Sequence, residues 1–273
     1  MRFELRMPSP DSVAAGQTAT LKLPIGNRFH ELQLAYAGVT LAQMTEIRVY
    51  ANGKAFQTFS AVDRDKFNQF DGLSAAAGIL KIPFDRQGLK TLAAMEETAI
   101  DTGADATGKG ERINSFYIEI DIAAAAAAPV LSMTATVSES LNIGVGTVLH
   151  IKRDTRTFGG AGSMDVSDLA YGKSTSVALN RVWFKPSAGQ LDKIRIERNQ
   201  TVLFERNKAL NEFIQGDGER VPQVGYQVVD RTERGIGGDP IALVGAQDFR
   251  YIVETSAAMT LTVFSENIGK LGD

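Results

Sequence analysis

The glycine-rich segment 101–112 holds the residues whose types and spacing come nearest to a known chemistry. Gly103, Gly108 and Lys109 have the spacing of a phosphate-binding loop. Such a loop needs a serine or threonine after the lysine to hold magnesium, and it follows a strand and opens a helix. Here Gly110 takes the hydroxyl position, and a strand pattern follows the segment instead of preceding it. We predict a surface loop that does not bind phosphate.

Three carboxylates of the same segment are candidate metal ligands. Asp101, Asp105 and Glu111 offer the oxygen atoms that calcium prefers, although their spacing does not match an EF-hand loop. We keep these three residues as candidate calcium ligands. The alternative is a loop whose acidic side chains are only solvated.

The composition excludes several kinds of catalytic site. The chain has no cysteine, which excludes disulfides, thiolate zinc sites and a cysteine nucleophile, and it has only two histidines. His150 could act as a base, but the sequence contains no Gly-x-Ser-x-Gly elbow that would present a nucleophile to it. We predict a structural role for His150 and a solvated position for His30. The chain is therefore predicted not to be an enzyme and to have no small-molecule substrate.

The charge of the chain argues against a nucleic-acid partner. The 273 residues include 29 Lys and Arg against 32 Asp and Glu, a net charge of -3, so there is no basic footprint for duplex binding. The small basic cluster Lys152–Arg156 is interrupted by Asp154 and reads better as the end of a strand. The N-terminus lacks the apolar core of a signal peptide, and no segment has the length of a membrane span. We expect a soluble protein that is synthesised in the cytoplasm.

The elements that must position these residues are mostly strands. Apolar and polar residues alternate with period two at many places, most clearly in Phe116–Ile122, which puts one face of each strand into a core. Turn signals such as Asn52-Gly53 separate these stretches. Helical periodicity is scarce and is clearest at Leu89–Ala99, where Leu92 and Met95 could face a core. The pattern predicts an all-β protein with a few short helices.

The two halves of the chain repeat one another. The triplet Ile47-Arg48-Val49 has a counterpart in Ile194-Arg195-Ile196, and Phe67-Asn68-Gln69-Phe70 is echoed by Leu210-Asn211-Glu212-Phe213. Each half would contain a strand, a turn, a second strand and a short helix, in that order. The alanine-rich connector Ala123–Pro129 lies between the repeats, so we predict two similar β-sandwich domains at residues 1–125 and 126–273.

Several of these segments, taken in order, closely resemble the corticovirus-type major capsid proteins. That family forms the shell of tailless icosahedral bacteriophages with an internal membrane. The resemblance is strong over about the first 50 residues and the connector, and weak or unaligned over the loops 101–112 and 230–248. The segments that carry it are Val13-Ala14-Ala15-Gly16, Leu21–Gly26, Tyr36–Thr40 leading into Ile47-Arg48-Val49 and Gly53, Ile118–Ile122, the alanine run with Pro129, Leu131-Ser132 and, more faintly, Lys152-Arg153-Asp154 and Val166–Leu169.

The resemblance implies two consecutive eight-stranded jelly rolls per chain and a homotrimer that forms a pseudo-hexagonal capsomer. It implies a place in the virion capsid around an internal membrane, with neighbouring capsomers, a vertex (penton) protein and internal viral membrane proteins as partners, after synthesis in the cytoplasm of a bacterial host. Trp183 and Tyr36 are candidate anchors of the contacts within the trimer, although Trp183 is also a candidate core residue. The family is associated with calcium, but none of its ligands can be matched to a residue here.

Two other functions fit a double β-sandwich. A lectin-like or receptor-binding module would share the fold, although one Trp and six Tyr give few aromatic rings for a sugar platform. A jelly-roll enzyme of the cupin kind would need several histidines on one barrel, and His30 and His150 lie far apart in the sequence. Capsid assembly is the function that the sequence favours.

Overall fold

Strands with one buried face make up most of the regular structure, as the period-two pattern predicts. The computed structural model describes residues 1–106, 108, 110–236 and 238–272, so Thr107 and Lys109 of the phosphate-loop pattern lie outside the described residues. Within these residues, each half has eight strands of four or more residues and one strand of two residues. The first half contains β1 (Arg2–Arg6), β2 (Thr18–Lys22), β3 (Asn27–Ala37), β4 (Met44–Ala51), β5 (Lys54–Phe59), β6 (Ile79–Pro83), β7 (Ile100–Asp101), β8 (Phe116–Ile122) and β9 (Val130–Glu139).

The second half follows the same plan. Its strands are β10 (Val148–Phe158), β11 (Gly162–Val166), β12 (Ala178–Pro186), β13 (Leu191–Arg198), β14 (Thr201–Asn207), β15 (Gln227–Asp230), β16 (Ile241–Ala242), β17 (Phe249–Thr255) and β18 (Met259–Gly269). The helices are α1 (Ala61–Phe70), α2 (Leu92–Met95) and α3 (Lys208–Gln215). None of the helices in the described residues is long and apolar enough to cross a membrane.

The strands form four layers, two in each half. Sheet I has the order β1-β9-β3-β6, with β7 paired to β3, and sheet II has the order β2-β8-β4-β5. Sheet III repeats sheet I as β10-β18-β12-β15, with β16 paired to β12, and sheet IV repeats sheet II as β11-β17-β13-β14. Sheets II and III join edge to edge through a parallel contact between Gln57 of β5 and Ile151 of β10. The fold is thus the predicted pair of jelly rolls, and neighbouring edges link the two.

The irregularities of the sheets recur in both halves. Pairing of β3 with β9 shifts between Phe29 and Glu31, and pairing of β12 with β18 shifts between Leu179 and Arg181, at the matching place. Bulges bend a strand and redirect its side chains, so a matching set reports a matching shape. Two further matching pairs of shifts lie in β4 and β13: Met44/Glu46 with Leu191/Lys193, and Val49/Tyr50 with Ile196/Glu197.

The tight turns of the repeat also match. Asn52 and Asn199 both have positive φ, at 52° and 49°, which is the backbone that a two-residue hairpin turn requires. The side-chain oxygen of Asn52 accepts a hydrogen bond of 2.8 Å from the Asn114 backbone N–H, just before β8. That of Asn199 accepts one of the same length from Gln247, just before β17. The predicted internal repeat is confirmed at the level of single hydrogen bonds.

The helices are short and begin at polar caps. The Ser60 hydroxyl accepts a hydrogen bond from the Asp63 backbone N–H at the start of α1, and the Asn207 side chain accepts one from Leu210 at the start of α3. Helix α2 occupies part of the predicted segment Leu89–Ala99, and a 3-10 turn follows it. Leu92 is exposed there instead of facing the core, so that part of the prediction is wrong.

The strand pairing favours a division between the jelly rolls later than the connector. The strand β9 follows Ala123–Pro129 and would fall in the second predicted domain, yet it lies hydrogen-bonded between β1 and β3 in sheet I. The alanine-rich segment therefore connects β8 to β9 inside the first jelly roll. We propose that the boundary lies at 140–147, between β9 and β10.

Candidate assembly surfaces

Helix α1 of the first jelly roll is buried against the second. The ring centroids of Phe67 and Phe70 lie 4.1 and 5.0 Å from that of Trp183 on β12, and all three side chains are fully buried. The Trp183 Nε1 donates a hydrogen bond of 2.8 Å to Glu266 Oε1 on β18. Trp183 is thus an anchor within one chain, and its prediction as a contact between chains is wrong because no part of its side chain reaches the surface.

A carboxylate at the start of α1 adds a polar contact beside these rings. Asp63 Oδ1 accepts hydrogen bonds of 2.6 Å from Lys185 Nζ and from the Tyr226 hydroxyl. Burial alone would raise the pKa of Asp63, but the bonds from Lys185, Ser60 and Tyr226 lower it below its usual value. The ionised carboxylate therefore ties α1 to sheet III.

A buried network of charged side chains lies at the C-terminal end of α1, in the same contact between the jelly rolls. Arg181 Nε lies 2.9 Å from Asp230 Oδ1, and Arg220 Nε lies 2.6 Å from Asp230 Oδ2. Arg181 Nη1 also donates to Asp71 Oδ2, at the end of α1, at 3.1 Å. Burial would raise the pKa of Asp230, but the two guanidinium groups hold it below its usual value. The network joins α1, β12 and β15 into one rigid contact between the jelly rolls.

His30 is buried, so its prediction as a solvated residue is wrong. It sits at the bulge between Phe29 and Glu31, which turns its ring inward. Its Nδ1 lies 3.1 Å from Asp85 Oδ1, and its Nε2 lies 2.9 Å from Ser138 Oγ. The order Asp-His-Ser resembles a hydrolase triad, but Ser138 stands inside a strand that is paired on both sides instead of on an elbow. The three residues hold β3, β9 and the segment after β6 together.

His150 has the structural place that the sequence predicts. Its ring is buried, and Nε2 donates a hydrogen bond of 2.7 Å to the Lys270 carbonyl near the C-terminus. Burial lowers the pKa of His150 to about 4, and the charge of Lys152 acts in the same direction. The imidazole is therefore neutral at neutral pH.

The three candidate calcium ligands do not converge in the structure. Asp101 is buried, and its carboxylate accepts hydrogen bonds from the Gly103 and Leu141 backbone N–H groups and from the Ser140 hydroxyl. The Asp105 carboxylate accepts a hydrogen bond of 2.6 Å from the Gly110 backbone N–H. The backbone of Glu111 forms an isolated antiparallel β-bridge with Val145. Within the described ranges, no group of three or more such side chains is arranged to hold a metal ion. Calcium binding stays a prediction.

The loop that carries these residues starts inside the protein. Thr102 and Gly103 are buried, and the Thr102 hydroxyl donates to the Asn27 carbonyl at 2.7 Å, whereas Ala104 and Ala106 are exposed. Tyr36, the second candidate anchor, is partly buried, and its hydroxyl donates to the Ala76 carbonyl at 3.2 Å. A role for Tyr36 in contacts between chains stays a prediction.

The sequence analysis missed an exposed apolar surface on α3. Leu210 and Phe213 are 47% and 81% exposed, although the repeat aligns them with the buried Phe67 and Phe70. Ile214 of the same helix and Val202 and Leu203 of β14 are also exposed. The repeat carried a signal for this surface, because it aligns the apolar residues of α3 with those of α1.

Comparison with known proteins assigns the chain to a family. The family model of the viral coat protein P2 N-terminal domain matches residues 4–138, and that of the viral coat protein P2 C-terminal domain matches residues 148–271. The major capsid protein P2 of Pseudoalteromonas phage PM2 is 26% identical over 240 residues, which cover 85% of this chain and 81% of that protein.

Solved structures share the fold. The crystal structure of the major capsid protein P2 from bacteriophage PM2 has a TM-score of 0.88 and 22% identity, and covers 100% of this chain and 98% of its own. The STIV MCP structure has a TM-score of 0.69 at 8% identity over 99% and 97% of the two chains. The PBCV-1 virus capsid protein has a TM-score of 0.66 at 9% identity over 98% and 93%. With two jelly rolls, each matched by its own family model, the chain belongs to the viral coat protein P2 family.

Proposed function

We propose that this protein is the major capsid protein of an icosahedral virus, and that it acts by assembly instead of catalysis. The observation that carries the proposal is the match of both jelly rolls, over nearly the whole chain, to the two domains of a viral coat protein. The buried network of Arg181, Asp230 and Arg220 supports it, because a shell subunit must keep its two jelly rolls in a fixed relation.

The assembly unit we propose is a homotrimer with a pseudo-hexagonal outline. Each chain supplies two jelly rolls of the same strand order, so three chains supply six similar flanks. Six similar flanks allow one gene product to tile a nearly hexagonal lattice. The net charge of -3 supports this, because copies of such a chain repel one another only weakly.

The partners we propose follow from this role. Neighbouring trimers would meet at their flanks, a vertex protein would fill the fivefold positions, and internal viral membrane proteins would lie beneath the shell. Exposed loops that join strands are the proposed outer surface, where variation is tolerated. Synthesis would take place in the cytoplasm of a bacterial host.

The test is the mass of the purified protein by light scattering, with the same peak imaged by negative stain. We expect a mass of three times the 29.4 kDa chain and six-cornered particles. A monomer that binds sugars on a glycan array would overturn the proposal in favour of the lectin-like alternative.

A further inference from the structure

The strand registers give a residue-by-residue correspondence between sheets I and III. Trp183 of β12 pairs with Phe264 and with Val228. In sheet I, Gln33 of β3 pairs in the same way with Thr134 and with Lys81. Gln33 is therefore the counterpart of Trp183, at the place on sheet I that corresponds to the α1 contact on sheet III.

The same correspondence relates α3 to α1. Phe67 and Phe70 of α1 cover Trp183. Their counterparts Leu210 and Phe213 of α3 point outward from the second jelly roll, and no part of the chain that the structure describes buries Phe213. The apolar face by which α1 joins the two jelly rolls of the chain thus has a counterpart on α3, and that counterpart is exposed.

The edge strands of the sheets show the same relation between the two halves. Inside the chain, β5 ends sheet II and lies parallel to β10, which ends sheet III. Their counterparts are β14, which ends sheet IV, and β1, which ends sheet I. In the described part of the chain, each of these two strands has a strand neighbour on one side only.

We propose that α3 and β14 of one copy dock on sheet I and β1 of a second copy, and so repeat between chains the contact that α1 and β5 make within the chain. This proposal rests on the proposed function, because it assigns the surfaces that close the trimer. Each chain offers one docking helix and one receiving sheet, so the contact is head to tail and closes a ring when the rotation between copies allows it. Three copies would give six jelly rolls joined by alternating internal and external contacts.

The receiving surface carries an apolar residue at the required place. Within the chain, the Tyr226 ring lies 6.3 Å from the Phe67 ring and at 84° to it. Tyr226 precedes Val228 by two residues, so its counterpart, two residues before Lys81, is Ile79. Ile79 is 58% exposed on β6. Leu210 of one copy and Ile79 of the next therefore take the places of Phe67 and Tyr226, and the polar Gln33 and Thr134 surround them.

The absence of cysteine in the sequence allows a direct test by cross-linking. In the double variant Leu210→Cys, Ile79→Cys, a short bis-maleimide should join neighbouring chains of the assembled protein. Bands of two and three chains are expected on a denaturing gel. The matched control is Val244→Cys, Ile79→Cys, because Val244 is exposed on the same jelly roll but lies in the segment between β16 and β17 instead of on α3. Multi-chain bands no stronger than in this control, from protein whose mass is still three chains, would overturn the docking surface and leave the trimer standing.

Disruption of the same surface gives a second test. Phe213→Asp places a charge in the proposed contact, so the mass by light scattering should fall from three chains to one, whereas Val244→Asp should stay at three. Trp183 emission should not change in either variant, because that ring is buried in the internal contact, and this reports that the fold is intact. A Phe213→Asp protein that is folded and still trimeric contradicts the assignment of α3, and a wild-type protein that is monomeric contradicts the trimer itself.

Discussion

Asn68 and Asn211 hold equivalent places in α1 and α3, and each donates its side-chain amide to a main-chain carbonyl of the strand that follows its helix. The distances are 2.8 Å from Asn68 Nδ2 to the Lys81 carbonyl and 2.7 Å from Asn211 Nδ2 to the Val228 carbonyl. Both asparagines are buried, and Lys81 and Val228 are themselves counterparts in sheets I and III. An equivalent hydrogen bond thus connects the helix of each jelly roll to the strand that follows it.

The Val228 carbonyl accepts a hydrogen bond from a second side chain, so we expect the two asparagines to contribute unequally to the free energy of unfolding. Asn68→Ala removes the side-chain partner of the Lys81 carbonyl and the acceptor of the buried Arg64 Nε, so it should lower the free energy of unfolding by about 1–3 kcal/mol. After Asn211→Ala, the Val228 carbonyl keeps Gln215 Nε2 at 2.8 Å. We expect a loss below about 1 kcal/mol.

Urea denaturation followed by the fluorescence of the single tryptophan measures both losses. The two variants are each other's control, because they remove the same side chain from equivalent sites. Equal losses would mean that the second donor at Val228 has no effect on stability.

The sequence predicted those features of the fold that depend on neighbouring residues. Alternation of apolar residues predicted the strands, and the repeated helix motif with Asn68 and Asn211 predicted two similar β-sandwich domains. Both signals are local, since a strand face and a helix end are each set within about ten residues.

The features that the sequence did not predict depend on contacts between distant segments. The strand β9 pairs with β1 and β3, far from it in sequence, and for this reason we propose a boundary later than the alanine run suggested. His30 turns inward because of a bulge, which periodicity does not reveal. Trp183 is buried by Phe67 and Phe70 of the other jelly roll, a contact that neither half encodes by itself.

The buried carboxylate of Asp230 should be among the most sensitive positions of the chain. Asp230→Asn takes one negative charge from between Arg181 and Arg220, and breaking a buried ion pair in this way costs about 3–5 kcal/mol. Asp168→Asn is the control, because its pair with Arg156 is largely exposed and should be worth less than about 1 kcal/mol. Thermal unfolding of the two variants compares them, and equal losses would contradict a stabilising role for the network.

The same carboxylate sets a pH dependence. The pKa of Asp230 is lower in the folded protein than the 3.8 of a free side chain, so the folded state holds the ionised form more strongly than the unfolded state does. Its stabilisation is complete above about pH 4 and is lost as the pH falls through the folded pKa. The stability difference between wild type and Asp230→Asn should therefore be constant at neutral pH and shrink only in strong acid.

His150 predicts a loss of stability at milder acidity. Its folded pKa of about 4 lies below the usual 6.5, so the unfolded state binds a proton first as the pH falls. The unfolding free energy should drop by about 3 kcal/mol between pH 6.5 and 4 and then level off for this group. His150→Gln keeps an amide that can donate to the Lys270 carbonyl but does not titrate, so the wild-type curve minus that of the variant isolates the histidine. A constant difference over this range would contradict a neutral buried imidazole.

Substitution of Phe67 distinguishes the contact between the jelly rolls of one chain from the proposed contact between chains. Phe67→Ala removes the ring stacked 4.1 Å from Trp183 and opens a cavity between the jelly rolls, which should lower the unfolding free energy by about 3–5 kcal/mol. Water and mobility beside the indole should shift its emission to longer wavelength. The matched variant is Phe213→Ala, because Phe213 is the counterpart of Phe70 on the uncovered helix, so its loss should leave Trp183 emission unchanged and act on assembly alone. An equal emission shift in both variants would show that α3 is coupled to the contact within the chain. A shift confined to Phe67→Ala assigns α1 to the contact within the chain and α3 to the proposed contact between chains.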